Sequence, residues 1–486
     1  MPVGSPEASR LVIRADRVVL RSSDAAWRVV PAEIRVEGST IVGVQEFDRA
    51  ERAAGDSRLI DLGDRLVAPA FVDGHTHLPM AGFRGLTSAR AFSGNVIEDL
   101  FFRLESGLGG STVRALARLG AYECLLSGTA TVFEHYYGGV SLAAGIRDVG
   151  LSAVVAPTLQ DLGGPGRADS EAQLDATLRI HEDSELGRAG VVAALGPHAT
   201  DTVSAALWRR IVALSETHRL PIHTHVAQSY EEYQRSLDQH GCSPIEWLDR
   251  LGVLALRTRH LMVHALWVTR SDLALLDPER HLLGLCPYSE ASYAFVPDVS
   301  AWTEAKIPWL VGTDCAPSND SMNVQKELRL VAALPGLGLV GSRELGEFYA
   351  EPSADRARRA AELRVRALDR ARTLTDPGWL LSRVWSVPGG FSPSLRCGEI
   401  RAGACAHLVV YDPGHPSLWP CADPLRALSH ADTAPAIEWL MLGGEFVGER
   451  GAFHQSIVSS EAYRAAREEA DRRLGEHLGR LGLSRA

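Results

Sequence analysis

Residues 68–78 read APAFVDGHTHL, an apolar run that ends in two imidazoles, His75 and His77, two positions apart. In a strand, residues i and i+2 project from the same face, so both rings point one way. The pattern returns in LPIHTHVA, residues 220–227, with His223 and His225. Two more apolar runs end in a single polar group: RHLMVHAL carries His264 and IPWLVGTD carries Asp314. Any one of these is more often a hydrogen-bonded strand end than a ligand. Four in order ask for a fold that gathers strand ends.

The surrounding chain supplies one. Short apolar runs such as LSAVVAPTL, GVVAALGP and HLLGLCP recur, separated by helical stretches such as TVRALARLGAYECLLSG and SAALWRRIVALSETH. Apolar strands alternating with helices imply a parallel sheet covered on both faces. About eight such units fit an α/β fold of the (β/α)8 TIM-like barrel kind, whose functional groups collect at the C-terminal mouth of the strands. The flanks differ. Residues 10–66 and 398–450 alternate short β-type runs with turns, and each alone would be a marginal sheet. They are expected to combine into one small composite β-sandwich. The expected division is therefore 1–66 for the N-terminal part of the sandwich, 67–390 for the barrel and 391–455 for the sandwich's C-terminal part. Residues 456–486 are expected to form a terminal helix whose charges read as a solvated face.

Composition narrows the function classes. A net charge of -10 argues against a nucleic-acid surface. The seven cysteines are scattered with no CxxC spacing, against a disulfide framework or a cysteine-based zinc site. No apolar run reaches the ~18 residues of a membrane span, and residues 1–19 lack a charged-then-apolar leader. A cytoplasmic protein with a small-molecule substrate, no nucleic acid and no membrane is expected.

Neutral imidazoles with one carboxylate suit zinc or another divalent transition metal. The ordered stretches HTH (75–77), SGTATVFEHY (127–136), LGPHATDTVS (195–204), HTHVAQSYEEY (223–233), HLMVHALWVT (260–269), LVGTDCAPSND (310–320) and GEIRAGACAHLVVYDP (398–413) together resemble the amidohydrolase superfamily. The likeness is to the branch of atrazine chlorohydrolase, triazine hydrolases, guanine deaminase and adenosylhomocysteine-type deaminases. It implies one divalent metal per chain, Zn2+ foremost with Fe2+ or Mn2+ as alternatives, held by His75, His77, His225 and Asp314. It also implies Asp314 as the general base toward water, His264 at the substrate or the developing tetrahedral centre, and His198 reaching into the pocket. His223 becomes a non-ligating support, while His135 and His260 are read as packing. A homodimer or larger homo-oligomer is the family habit.

Two positions depart from the resemblance. Gln228 stands where the deaminases carry glutamate three residues after the metal histidine. An amide cannot shuttle a proton at neutral pH, and a positioned acid contributes ~10²–10⁴-fold. Either the substrate does not need that proton, another carboxylate serves, or turnover is lost. Glu290, in CPYSEASYA, stands at an asparagine position, on an expected loop that either faces the pocket or is exposed. Gln228 and Glu290 are expected to bind substrate, with Gln228 also taking part in catalysis. Tyr136, Tyr137, Tyr288, Tyr293 and Phe295 suit stacking on a planar ring. The expected function is metal-dependent hydrolysis of a non-peptide C–N bond, foremost deamination of a nitrogen heterocycle. The alternatives are hydrolysis of a cyclic or linear amide, dechlorination, or a binding protein on an inactive barrel.

Overall fold

The computed structural model describes residues 10–48, 59–86, 95–293 and 295–483. The expected leader-free start at residues 1–9 lies outside them. Apolar runs of the sequence form parallel strands at Phe71–Thr76, Thr129–Tyr136, Ser152–Leu159, Val191–Ala193, Gly196–Pro197, Ile222–Val226, His260–His264, His281–Leu285 and Trp309–Val311. Nearly every residue in them is buried, as strands covered on both faces must be. They pair as a five-stranded and a four-stranded sheet. Single parallel bridges, Leu195 to Ile222 and Thr76 to Asp314, link the sheets at both edges. Helices including Gly110–Leu126, Gly139–Val149, Ala205–His218 and Tyr230–His240 alternate with the strands. Ser204 and Ser229 cap the last two by accepting from the Leu207 and Glu232 N–H groups. The result is an α/β fold of the TIM-like kind.

Close approach of the first and last of these strands is what joins Thr76 to Asp314. A side chain on Gly74 would begin 2.3 Å from Leu310 Cδ1, and one on Gly312 would begin 2.5 Å from the His75 amide nitrogen. Only glycine fits at either point. Asp73 then ties the two segments, accepting from the Thr313 N–H at 3.0 Å and the Thr313 hydroxyl at 2.6 Å. Burial pushes its carboxyl up to about 7.

Both ends of the chain meet in one further sheet. Its eight strands are Arg10–Arg21, Trp27–Glu37, Thr40–Glu46, Leu59–Asp61, Leu66–Pro69, Leu408–Tyr411, Ile437–Leu442 and Glu445–Val447. Leu66–Pro69 runs parallel to the first of them and antiparallel to Leu408–Tyr411. The segments expected to form a sandwich thus pair as a single sheet. A bulge between Ala15 and Val18 interrupts its long first strand, and a core of its own includes Ile13, Val18, Ile34, Leu408, Val410 and Met441.

The terminal helix Glu461–Arg480 buries Ala466, Ala470, Leu474, His477 and Leu478, so only part of it is a solvated face. Its His477 Nε2 donates to the Leu104 carbonyl at 2.6 Å. Among the described residues no helix is long and apolar enough to cross a membrane.

Candidate metal centre and active site

The four polar strand ends converge. His75 lies on Phe71–Thr76 and His77 just beyond it, His225 on Ile222–Val226, His264 at the end of His260–His264, and Asp314 after Trp309–Val311. Each ring has its Nδ1 engaged by a partner outside the centre. His75 Nδ1 meets His223 Nε2 at 2.8 Å and His77 Nδ1 donates to the His135 carbonyl at 2.5 Å. His225 Nδ1 donates to the His198 carbonyl at 2.9 Å, and His264 Nδ1 meets Glu290 Oε1 at 3.2 Å. These bonds leave the Nε2 atoms for the interior. A partner on the far nitrogen is how proteins fix the tautomer of a metal-binding histidine.

At the centre, Asp314 Oδ1 lies 3.3 Å from His77 Nε2 and 3.7 Å from His75 Nε2. The ligand atoms of His75, His77 and His225 lie within 4.8 Å of one another, as do those of His75, His264 and Asp314. His75 Nε2 is buried and has no hydrogen-bond partner among the described residues. Native proteins seldom leave such a nitrogen orphaned. Three imidazole nitrogens and a carboxylate oxygen around an orphan fit a tetrahedral divalent metal site.

The electrostatics agree. Burial, reinforced by neighbouring imidazoles, takes His225 well below its usual range, and burial lowers His75 to about 3. Neutral imidazole is the ligating form. Asp314 is buried, which opposes its charge, yet the neighbouring His75 and His77 rings hold the carboxyl well below the ordinary carboxylate range. Ser289 also donates to its Oδ2 at 2.5 Å. Ala227, His264, Ala265 and Asp314 all have positive φ, 49°, 72°, 45° and 62°. Left-handed backbone in non-glycine residues stores strain, and here it is concentrated where strands hand their side chains to the centre.

A pocket of ≈ 290 Å³, open to solvent, lies over the centre. His77, His198, His225, Gln228, His264, Glu290 and Asp314 all line it. His75 and His223 stand behind it, fully buried. His198 is held by a 2.9 Å bond between its Nδ1 and the Thr202 hydroxyl, and burial lowers it to about 3. His135 lines the pocket as well. Beyond the packing role expected of it, its carbonyl orients His77. His260 stacks on His281 with centroids 5.2 Å apart and has the packing role expected of it. Tyr136, Tyr137, Tyr293 and Phe295 line the pocket, whereas Tyr288 does not and is 50% exposed.

The expected loop around Glu290 is a short helix, Pro287–Ser292. Proline at its first position suits a helix start, and Glu290 is buried, which excludes the exposed alternative. Two carboxyls escaped the sequence reading. Glu105, at the end of the helix Phe102–Glu105, lines the pocket, and burial pushes it up to about 7. Glu232 is buried behind Gln228 and accepts from its N–H at 2.8 Å and from the Thr200 hydroxyl at 2.5 Å. Burial pushes it to about 7 as well. No motif marks Glu105; Glu232 is visible only as the seventh residue after His225.

Residues 66–344 match the family model described as the amidohydrolase family. A 5-methylthioadenosine/S-adenosylhomocysteine deaminase of Nitratidesulfovibrio vulgaris is 26% identical over 437 residues, 90% of this chain and 91% of the relative. One from Halobacterium salinarum is 28% identical over 88% of this chain and 90% of its own. A 5'-deoxyadenosine deaminase of Methanopyrus kandleri is 26% identical over 81% and 83%. Among solved structures, an adenosine deaminase from Xanthomonas campestris with bound zinc superposes with a TM-score of 0.76 at 22% identity, covering 96% of this chain and 99% of that one. Atrazine chlorohydrolase from Arthrobacter aurescens, complexed with zinc, gives 0.74 at 17% identity, covering 96% and 100%. With a family match over more than half its length and this α/β fold, the chain belongs to the amidohydrolase family.

Proposed function

We propose that the protein is a metal-dependent deaminase that releases ammonia from a purine-type nucleoside. The observation that carries the reading is the convergence of the His75, His77 and His225 rings with Asp314 around an orphaned imidazole nitrogen at the floor of an aromatic-lined pocket. The curated relatives named as deaminases of adenosine derivatives, matched over most of their length, favour this substrate class. Zinc in the solved relatives favours zinc here, held by His75, His77, His225 and Asp314. When bound, the metal supplies hydroxide chemistry at neutral pH.

The chain's own residues do the rest. Asp314 is kept ionised, with Oδ2 tied to Ser289 and Oδ1 toward the centre, so Oδ1 is the acceptor for the proton of the attacking water. His264 faces the position where charge develops on the attacked carbon. Gln228 lines the pocket and offers an amide N–H and carbonyl to the ring. Glu105 offers acceptor oxygens to hydroxyl groups. Trp267 and Phe295 stack with centroids 4.7 Å apart at the pocket wall and suit an apolar substituent.

The proposed architecture behind this reading is a single closed eight-stranded barrel, with Val191–Ala193 and Gly196–Pro197 counted as one strand and the two bridges joining the sheets, and with the mixed sheet folded into a two-layered accessory unit. The proposed units are 1–66 with 391–455, 67–390, and the tail 456–486; Val67–Pro69 continue the accessory sheet up to the barrel. The test is to incubate zinc-loaded protein with 5'-deoxyadenosine, 5-methylthioadenosine, S-adenosylhomocysteine, adenosine and guanine, and to measure ammonia. Turnover of an adenosine derivative supports the proposal. Gln228 favours a second reading, in which ring protonation is dispensable. Release of chloride from a chlorotriazine, or of carboxylate from a cyclic amide, with no ammonia from any nucleoside, would establish that reading instead.

A further inference from the structure

We propose that Glu290 is a positioning residue that acts through His264, fixing the ring with hydrogen on Nδ1 and with Nε2 toward the reaction centre. This revises the expectation that Glu290 binds substrate. The kinetic part of the proposal rests on the hydrolytic reading above; the part about the ring does not.

The first argument is bonding. Glu290 Oε1 receives the Cys286 N–H at 2.9 Å and lies 3.2 Å from His264 Nδ1. Oε1 already receives one N–H, and any proton that burial keeps on this carboxyl has Oε2, unpartnered among the described residues, to sit on, so the hydrogen between Oε1 and Nδ1 is assigned to the ring. An asparagine or glutamine can turn its N–H₂ group toward the ring and select the opposite tautomer; an ionised carboxylate has no hydrogen to offer. Carboxylate at this position therefore removes an ambiguity that an amide leaves open.

The second argument is the support. His264 has φ 72° and Ala265 has φ 45°, so ordinary strand geometry does not aim this ring. The helix Pro287–Ser292 does. Its Ser289 hydroxyl donates to Asp314 Oδ2, and the next residue, Glu290, holds His264. The helix is itself anchored: the Tyr288 N–H donates to Glu327 Oε2 at 2.9 Å, and Glu327 Oε1 accepts from Asn319 Nδ2 at 2.9 Å. One turn of helix thus orients two reacting groups that arrive from different strands. Cys286 and Glu290 stand with His264 as a cluster of buried potential metal ligands, but the bonds already made by Glu290 Oε1 assign the carboxylate to the ring.

The experiment uses zinc-loaded, 15N-histidine-labelled protein. His264 is assigned by its loss in His264→Gln, and the ring shifts report which nitrogen carries hydrogen. Wild type is expected to show hydrogen on Nδ1 of His264; hydrogen on Nε2 alone would overturn the proposal with no other variant needed. Glu290→Gln can keep its carbonyl at the Oε1 position, and is expected to retain the wild-type shifts and to rescue turnover relative to Glu290→Met. Glu290→Met removes the acceptor, and is expected to change the His264 shifts and lower kcat by about 10–100-fold, the range for partners of site histidines, with KM within about threefold. In a His264→Gln background the same change is expected to cost nothing further, because coupled residues are not additive. A rise in KM with kcat unchanged, or additive losses, would make Glu290 a substrate contact and refute positioning. If no substrate is turned over, the functional reading fails while the ring shifts still decide this one.

Discussion

Position 228 is where a single atom type divides the two chemistries open to this site. The Gln228 side chain lines the pocket, while its backbone N–H is held by the buried Glu232. A carboxylate there would face Asp314 across the centre and Glu232 behind it, and would offer no N–H to a substrate. Gln228→Glu is therefore expected to lower kcat/KM on the native substrate by ~10²-fold, the lower end of the worth of a positioned proton-handling group. A rise in ammonia release instead would mark the glutamine as a lost acid. His223 makes a complementary case. It never reaches the pocket, yet its Nε2 holds His75 Nδ1 at 2.8 Å. His223→Phe is expected to weaken metal binding by about 10–100-fold, read by competition with a chromophoric chelator. Both histidines of HTHVAQ were legible from spacing, because two-residue alternation places them on one face. Glu105 was not legible. It comes from a four-residue helix with no periodicity of its own, and its importance derives wholly from burial beside the pocket.

Short helices carry more of the site than their length suggests. Pro287–Ser292 read as a loop because six residues give no helical period to see, although its proline was a start signal. Its anchor, Glu327, is buried, and burial pushes the carboxyl up to about 8 from 4.5. The folded state thus holds a proton that the unfolded chain releases between pH 4.5 and about 8. Linkage makes its contribution to stability decline as pH rises across that window. Glu327→Gln cannot release that proton. The stability of wild type relative to this variant, measured by urea unfolding, is expected to be greatest near pH 5 and to fall steadily toward pH 8. The same limit on short elements explains the accessory sheet. Its strands were visible as β-type runs, but their partners were not, since the pairing of Leu66–Pro69 with Leu408–Tyr411 joins segments more than 300 residues apart in the chain.

At the scale of the molecule, that pairing lies one residue from the strand that carries His75 of the proposed metal centre. Leu66–Pro69 ends at Pro69, Ala70 follows, and Phe71–Thr76 begins the strand that carries His75. The ligand-bearing strand is thus a direct continuation of a strand clamped by the C-terminal part of the chain. During synthesis, His75, His77, His225 and Asp314 all leave the ribosome well before Leu408–Tyr411 does. A nascent chain that has made all four proposed ligands still lacks the clamp, so competence to hold metal is expected to arrive late, after the last β-segments emerge. A chain stopped after Cys397 is expected to bind zinc at least tenfold more weakly than the full chain, measured by the same chelator competition. Equal affinity would mean that the centre is complete before the clamp. Late completion would have a cellular consequence: an aborted translation product would carry the four proposed ligands without the clamp, and would compete poorly with finished protein for a scarce metal.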